Sequence, residues 1–318
     1  MGLHLLFLSA LFVLLVGCSS NYTNRYALYT SDKKGYSASQ IEPLLDEVLE
    51  KEGPTILFVH GRGSEPKKSL QGGTLVTGLA VHKLEKGYGS NVVMFSWDSE
   101  AGFGFKDRTR PLSKIDNAVI SFSEVLEGIQ NYKKKNPQSE DIALIVHSMG
   151  NIVVETYVRS KGDWISNGNL PLFSNVILSS PDSDDVGHAE WVEKISAIDS
   201  VYVTINKWDK VLNKSYDERD PNSTPMGLEP GTNLAPNAVY IDLSEAGENE
   251  GGKNKRHENF DKRGMYDQVY VCTFFHQALT GQPVILNNEN SNVVILNKRY
   301  KLKYNKDGKN ICFRSKTT

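Results

Sequence analysis

The chain has 318 residues, with 36 Lys and Arg against 38 Asp and Glu, a formal charge of -2 and 39% hydrophobic residues. These figures exclude a disordered chain and a bundle of membrane spans, and they leave room for one catalytic domain with additions. Charges this balanced and interleaved give no electrostatic footprint for nucleic acid, which is not expected as a partner.

In chain order, the first element is the apolar run from Leu3 to Val16, which leads into Leu15-Val16-Gly17-Cys18. It is shorter than the ~20 residues that a bilayer-spanning helix needs. The stretch resembles a bacterial lipoprotein signal, except that no Lys or Arg precedes the apolar run. The resemblance implies a signal peptide over 1–17, a diacylglyceryl group on the Cys18 thiol and acylation of the new amine. Several acyl chains hold a protein to a membrane far more firmly than one. Ser19 in place of Asp after the cysteine implies the periplasmic face of the outer membrane. An ordinary secretory signal or a buried helix is the plainer alternative. Residues 18–36, without helical or strand periodicity, are expected to be a tether between the lipid and the domain.

Order is expected over 37–285. Ile41, Leu44, Leu45, Val48 and Leu49 recur at helical spacing, and Gly53-Pro54 ends that helix. Compact apolar runs at 55–59, 92–96, 142–146, 176–179, 201–205 and 239–243 read as buried strands. Between them lie helical patterns, the clearest from Ser113 to Tyr132 with Ser113 as N-cap. Buried strands alternating with helices predict an α/β fold, a mostly parallel sheet flanked by helices. Residues 210–237 carry several prolines and glycines without periodicity, so they are expected to be an insertion and candidate lid. From 286 to 318 the pattern of Val293–Leu296, Tyr300–Tyr304 and Ile311–Phe313, with Asp307-Gly308 as a turn, predicts a small C-terminal antiparallel β appendage. Cys272 and Cys312 are the cysteines left after Cys18 and are candidates for a disulfide in an oxidising compartment.

The strand ending at Val146 runs into His147-Ser148-Met149-Gly150-Asn151 and then into an apolar helix. A serine on such a strand-to-helix turn has its hydroxyl lifted out of the sheet beside the positive end of the helix. Three motifs, Phe95-Ser96-Trp97-Asp98-Ser99, Val146-His147-Ser148-Met149-Gly150-Asn151 and Ser180-Pro181-Asp182-Ser183-Asp184, together resemble a group of bacterial α/β-hydrolases of unknown function. That group carries Ser-Trp-Pro-Ser and Ala-His-Ser-Met-Gly-Asn signatures, and here Asp98 and Val146 depart from them. The resemblance runs from about residue 55 to 281. It implies the α/β-hydrolase fold and a Ser-acid-His triad, with Ser148 as nucleophile. It names no substrate.

Chain order in this fold places the acid after the serine and the histidine last. Asp209, just past the strand at 201–205, is the candidate acid, and Asp182 and Asp184 after the preceding strand are the alternatives. Of the seven histidines, His257 lies in the loop after the last strand of the βα series and is the candidate base. His4 falls in the signal, His82 and His276 fall in helices, and His60, His147 and His188 precede the acid with packing or loop roles. Two backbone amides would stabilise the oxyanion, that of Met149 and, as the family arrangement implies, that of Arg62 in His60-Gly61-Arg62-Gly63. No Cys/His or paired-acid cluster has metal-ligand spacing and no dinucleotide fingerprint follows a strand, so neither metal nor cofactor is expected. The expectation is therefore a serine hydrolase acting on a small-molecule or lipid ester at the envelope. An amidase or peptidase would use the same triad. A non-catalytic hydrolase-fold binding protein is the alternative from another class, and the presence of Ser148, Asp209 and His257 speaks against it.

Overall fold

The apolar runs at 55–59, 92–96, 142–146, 176–179, 201–205 and 239–243 all lie in strands, buried because helices cover both faces of the sheet. The computed structural model describes residues 26–30, 35–63, 81, 84–100, 108–161, 171–217, 219–247, 253–260, 269–282, 284–286, 293–296 and 299–303. Its strands are β1 (Ala27–Tyr29), β2 (Gly35–Ser37), β3 (Thr55–Val59), β4 (Asn91–Ser96), β5 (Ile142–His147), β6 (Asn175–Ser179), β7 (Ser200–Ile205), β8 (Ala238–Glu245), β9 (Val293–Leu296) and β10 (Arg299–Lys303). Across the sheet they lie in the order β2-β1-β4-β3-β5-β6-β7-β8-β10-β9. The run from β4 to β10 is parallel throughout, so the carboxyl ends of its strands share one edge.

Alternation along each strand feeds two cores. Leu144 and Val146 of β5 pack with α1 (Ile41–Leu49), α3 (Ile115–Lys135) and α4 (Gly150–Lys161), whereas Ile145 faces the core built on α7 (Val269–Leu279). The helix expected from Ser113 begins two residues later. Ser113 does not cap it, because its hydroxyl donates to Arg110 O at 2.7 Å and closes the short α2 (Thr109–Leu112) instead.

Both sheet edges differ from expectation. The segment expected to be a tether contains β1, which is buried and antiparallel to β4, with Leu28 opposite Phe95. Three residues are too few for a period to show in sequence, and it is the open edge of β4 that recruits them. At the other edge β9 and β10 are antiparallel to one another as expected. β10 also pairs in parallel with β8, Tyr300 opposite Ile241, so the hairpin extends the main sheet. The expected turn at Asp307-Gly308 and strand at Ile311–Phe313 lie outside the described residues, as do the whole signal region and Cys18. Cys272 is buried on α7 and disulfide-bonded; Cys312 is outside the described residues.

After α5 (His188–Val192) and β7, residues 210–237 open with α6 (Lys210–Tyr216) and then run back over the loop that follows β6. Met226 N–H donates to Ser183 O, Gly227 N–H to Pro181 O and Asp185 N–H to Thr224 O, all at 2.8–2.9 Å. Further along, Ala235 N–H donates to the buried hydroxyl of Tyr240, which in turn donates to His188 Nε2 at 2.8 Å. His188 is thereby used as a structural tie, with Nδ1–H on Asp185 O.

Candidate active site

Ser148 occupies the turn between β5 and α4 with φ of +53°, a left-handed conformation that non-glycine residues seldom adopt. Three contacts hold it there. Its N–H donates to Ser179 O at 3.0 Å, and the Asn151 side-chain amide donates to both Val146 O and Ser148 O at 3.0 Å. Close backbone approach then demands glycine on two sides. A Cβ on Gly61 would stand 2.7 Å from Ser148 Cβ, and one on Gly150 would stand 2.7 Å from His60 O. The turn after β3 thus runs directly against the turn that carries Ser148, where the resemblance sets the amides of Arg62 and Met149.

The histidine before that turn has a defined structural task. His60 Nε2 accepts from Trp97 N–H at 3.2 Å, so the ring's proton sits on Nδ1 and is donated to Gly61 O at 2.7 Å. Trp97 Nε1–H returns a bond to His60 O at 2.8 Å. Burial lowers the His60 pKa to about 4, partly opposed by the Gly61 bond, which keeps this neutral arrangement at physiological pH.

On the far side of Ser148, the loops after β7 and β8 meet. His257 Nδ1 lies 2.7 Å from Asp209 Oδ2, a pair separated by 48 residues in the chain. Asp209 is fully buried, and its other oxygen, Oδ1, accepts from Val211 and Leu212 N–H at 2.8 and 3.0 Å as the N-cap of α6. One carboxylate therefore starts a helix and orients an imidazole, each oxygen having its own task. Burial works to lower the His257 pKa, but the Asp209 charge and hydrogen bond, with lesser help from Glu258 and Asp182, raise it above 6.5 on balance. Of the hydrogen bonds among the described residues, none joins the Ser148 hydroxyl to this ring. The two residues hang from adjacent positions of one loop, since Ser148 N–H bonds Ser179 O while Ser180 Oγ donates to His257 O at 2.7 Å. His147 lies against the imidazole from the β5 side, with ring centroids 4.6 Å apart.

A parallel sheet of this order, with a serine at an elbow after β5 and a carboxylate–imidazole pair after β7 and β8, agrees with the comparison of the sequence with known families. The model of the family described as alpha/beta hydrolase of unknown function (DUF900) matches residues 37–219, more than half of the chain. The chain belongs to this family. The match ends before β8 and the loop that carries His257. No curated protein matches the sequence. Among solved structures, the chain is similar to an α/β serine hydrolase without lid from Xanthomonas campestris, at 14% identity and a TM-score of 0.30, over 60% of this chain and 72% of that one. It is also similar to the acylaminoacyl peptidase of Pyrococcus horikoshii, at 13% identity and a TM-score of 0.36, over 74% of this chain and 39% of that one. Likeness this distant carries no argument about this chain.

Within this α/β hydrolase, the two alternative acids are engaged elsewhere. Asp182 Oδ1 accepts from Ser215 Oγ and Arg219 Nη2, both at 2.6 Å, and Asp184 pairs with Arg219 Nη1. Neither has a hydrogen bond to His257 among the described residues. Several residues that hold the site carry no chemical signature in sequence. Ser180 and Asn259 support the backbone of His257, Asn206 Nδ2 donates to Arg256 O at 2.7 Å, and Asn254 bonds Leu243 O, Asn259 Oδ1 and Arg256 N–H. Asparagine in a loop is ordinary turn chemistry, so only the folded loop reveals these as supports. His276 is exposed against Tyr88, and His4 and His82 lie outside the described residues. No group of three or more His, Cys, Asp or Glu among the described residues is arranged to hold a metal ion.

Proposed function

We propose that this α/β hydrolase is a serine hydrolase that cleaves carboxylic esters, with Ser148 as nucleophile, His257 as base and then acid, and Asp209 as the orienting carboxylate. The observation that carries the reading is the 2.7 Å contact of His257 Nδ1 with Asp209 Oδ2 at the sheet edge where Ser148 stands on its elbow. A proton held on Nδ1 by Asp209 leaves Nε2 as the acceptor for the serine proton. Ser148 Oγ then attacks the carbonyl carbon, the oxyanion is met by the Met149 and Arg62 amides, and the proton passes from His257 to the departing alkoxide. Water releases the acyl group by the same steps in reverse. Labelling with a fluorophosphonate probe tests the reading: the parent protein should be tagged covalently and Ser148→Ala should not. A folded Ser148→Ala variant that still labels or still hydrolyses p-nitrophenyl butyrate would overturn it. An ester chain-length series beside anilide substrates separates esterase from amidase.

The Cys18 motif supports a second part of the proposal, attachment to the cell envelope through lipid on that cysteine. With β1 starting at Ala27, about nine residues link the lipid to the sheet, a reach of at most ~30 Å. Substrates of the envelope, lipid esters among them, fit an enzyme held so near a leaflet. Cys18→Ala should leave turnover of a soluble ester intact and release the protein from the membrane fraction. Retention after a salt wash would reject the anchor.

A further inference from the structure

Arg108 lies just before α2, in the connection from the carboxyl end of β4, and its side chain is only 14% exposed. Its partners are few for a buried guanidinium. Nη2 donates to Asp182 O at 3.3 Å, and Nε is 3.5 Å from Asp182 Oδ2, an ion pair without a hydrogen bond. Nε is shielded from solvent and has no hydrogen-bond partner. Arg219 and Ser215 occupy Asp182 Oδ1 and Arg219 also binds Asp184, which leaves Asp182 Oδ2 facing Arg108 Nε. Arginine offers five N–H donors in a rigid fork. Here one hydrogen bond uses that fork among the described residues.

The position matters as much as the shortage. Asp182 N–H donates to Ser148 O at 3.2 Å, and Asp182 O receives the Arg108 bond, so both contacts run through one residue. That keeps the guanidinium within about 10 Å of the Ser148 carbonyl oxygen, against the loop that follows β6. Nε is sealed by the protein, whereas Nη1 has no hydrogen bond among the described residues and is not sealed from solvent, so this end of the fork is the one a ligand acceptor can meet. A planar fork selects a carboxylate or phosphate, which can accept two parallel bonds.

We infer that Arg108 is a substrate-binding residue that receives an anionic group, carboxylate or phosphate, carried by the molecule whose ester bond Ser148 attacks. The inference rests on the serine-hydrolase reading for the bond cleaved, and on the geometry alone for the anion. Two measurements on the full chain separate these. The first is thermal unfolding in succinate, inorganic phosphate or chloride at equal ionic strength. Succinate or phosphate should raise the melting temperature over chloride in the parent and not in Arg108→Gln, and the more effective anion tells carboxylate from phosphate. The second is the ratio of kcat/KM for p-nitrophenyl hydrogen glutarate to that for p-nitrophenyl butyrate. Arg108→Gln should lower this ratio at least tenfold, and Arg108→Lys, which keeps the charge and loses the fork, at least threefold. If the Gln variant does not fold, the Lys variant decides by the same ratio and the same anion-dependent shift. An unchanged ratio with no Arg108-dependent shift overturns the anion site even if Ser148 labels. A shift lost in Arg108→Gln in a protein that neither labels nor hydrolyses esters keeps the site and rejects the hydrolase reading.

Discussion

Replacing Asp209 by Asn separates its two tasks. The Oδ1 position accepts two backbone N–H groups at the start of α6, so the Asn amide must keep its oxygen there and turn its NH2 towards His257. A donor facing Nδ1 forces the ring proton onto Nε2, the nitrogen that has to accept the proton of Ser148. Loss of the correct tautomer in such triads costs about 10⁴ in kcat, which at 1.36 kcal/mol per tenfold is ~5.5 kcal/mol of transition-state stabilisation. Stability should fall far less, by ~1–3 kcal/mol for one charged hydrogen bond, because Asn remains a good cap. Asp182→Asn should do the reverse. It strips the charge facing buried Arg219 and Arg108, which costs ~3–5 kcal/mol of stability, while the folded fraction keeps kcat within about tenfold, our estimate from the absence of a His257 contact. The assay is kcat and KM for p-nitrophenyl butyrate beside urea unfolding of the same samples. The reasoning fails if Asp209→Asn stays within tenfold of the parent, or if folded Asp182→Asn loses a thousandfold.

The raised pKa of His257 sets the pH dependence of activity: kcat/KM should rise with pH through a midpoint above 6.5, and Asp209→Asn should move any residual activity to a lower midpoint; an unmoved midpoint would remove Asp209 as its cause. The same pair stabilises the fold below pH 6.5 and loses that contribution as pH rises through the folded value. His60 works in the opposite sense, since its lowered pKa makes the protein lose up to about 3 kcal/mol as pH falls from 6.5 to about 4. Urea titrations at pH 7.5 and 4.5 should show that loss, and it should shrink in His60→Gln. Gly61→Ala places a methyl 2.7 Å from Ser148 Cβ and 3.2 Å from His147 O, which predicts ~1–3 kcal/mol of destabilisation and at least tenfold slower fluorophosphonate labelling; normal labelling would show that the turn can retreat.

Much of this protein is set by local pattern. The six apolar runs, the elbow after β5, and Asp209 and His257 past their strands are all legible because a buried parallel strand must be apolar along its length and its carboxyl end must open into a loop. Sequence also ordered the acid candidates, without choosing among them. Which carboxylate meets His257 is tertiary: 48 residues separate Asp209 from His257, and the pairing exists because β7 and β8 lie side by side while Arg219 and Ser215 draw Asp182 away. Edge strands escaped for a related reason, since β1 has three residues and its place is set by the free edge of β4, and β10 joins β8 in parallel from a hairpin that looks self-contained in sequence. Arg108 shows the limit most plainly. In sequence it is one charge among 36 Lys and Arg, and only folding, by linking it through Asp182 to the backbone of Ser148, gives it a place that short-range pattern cannot encode.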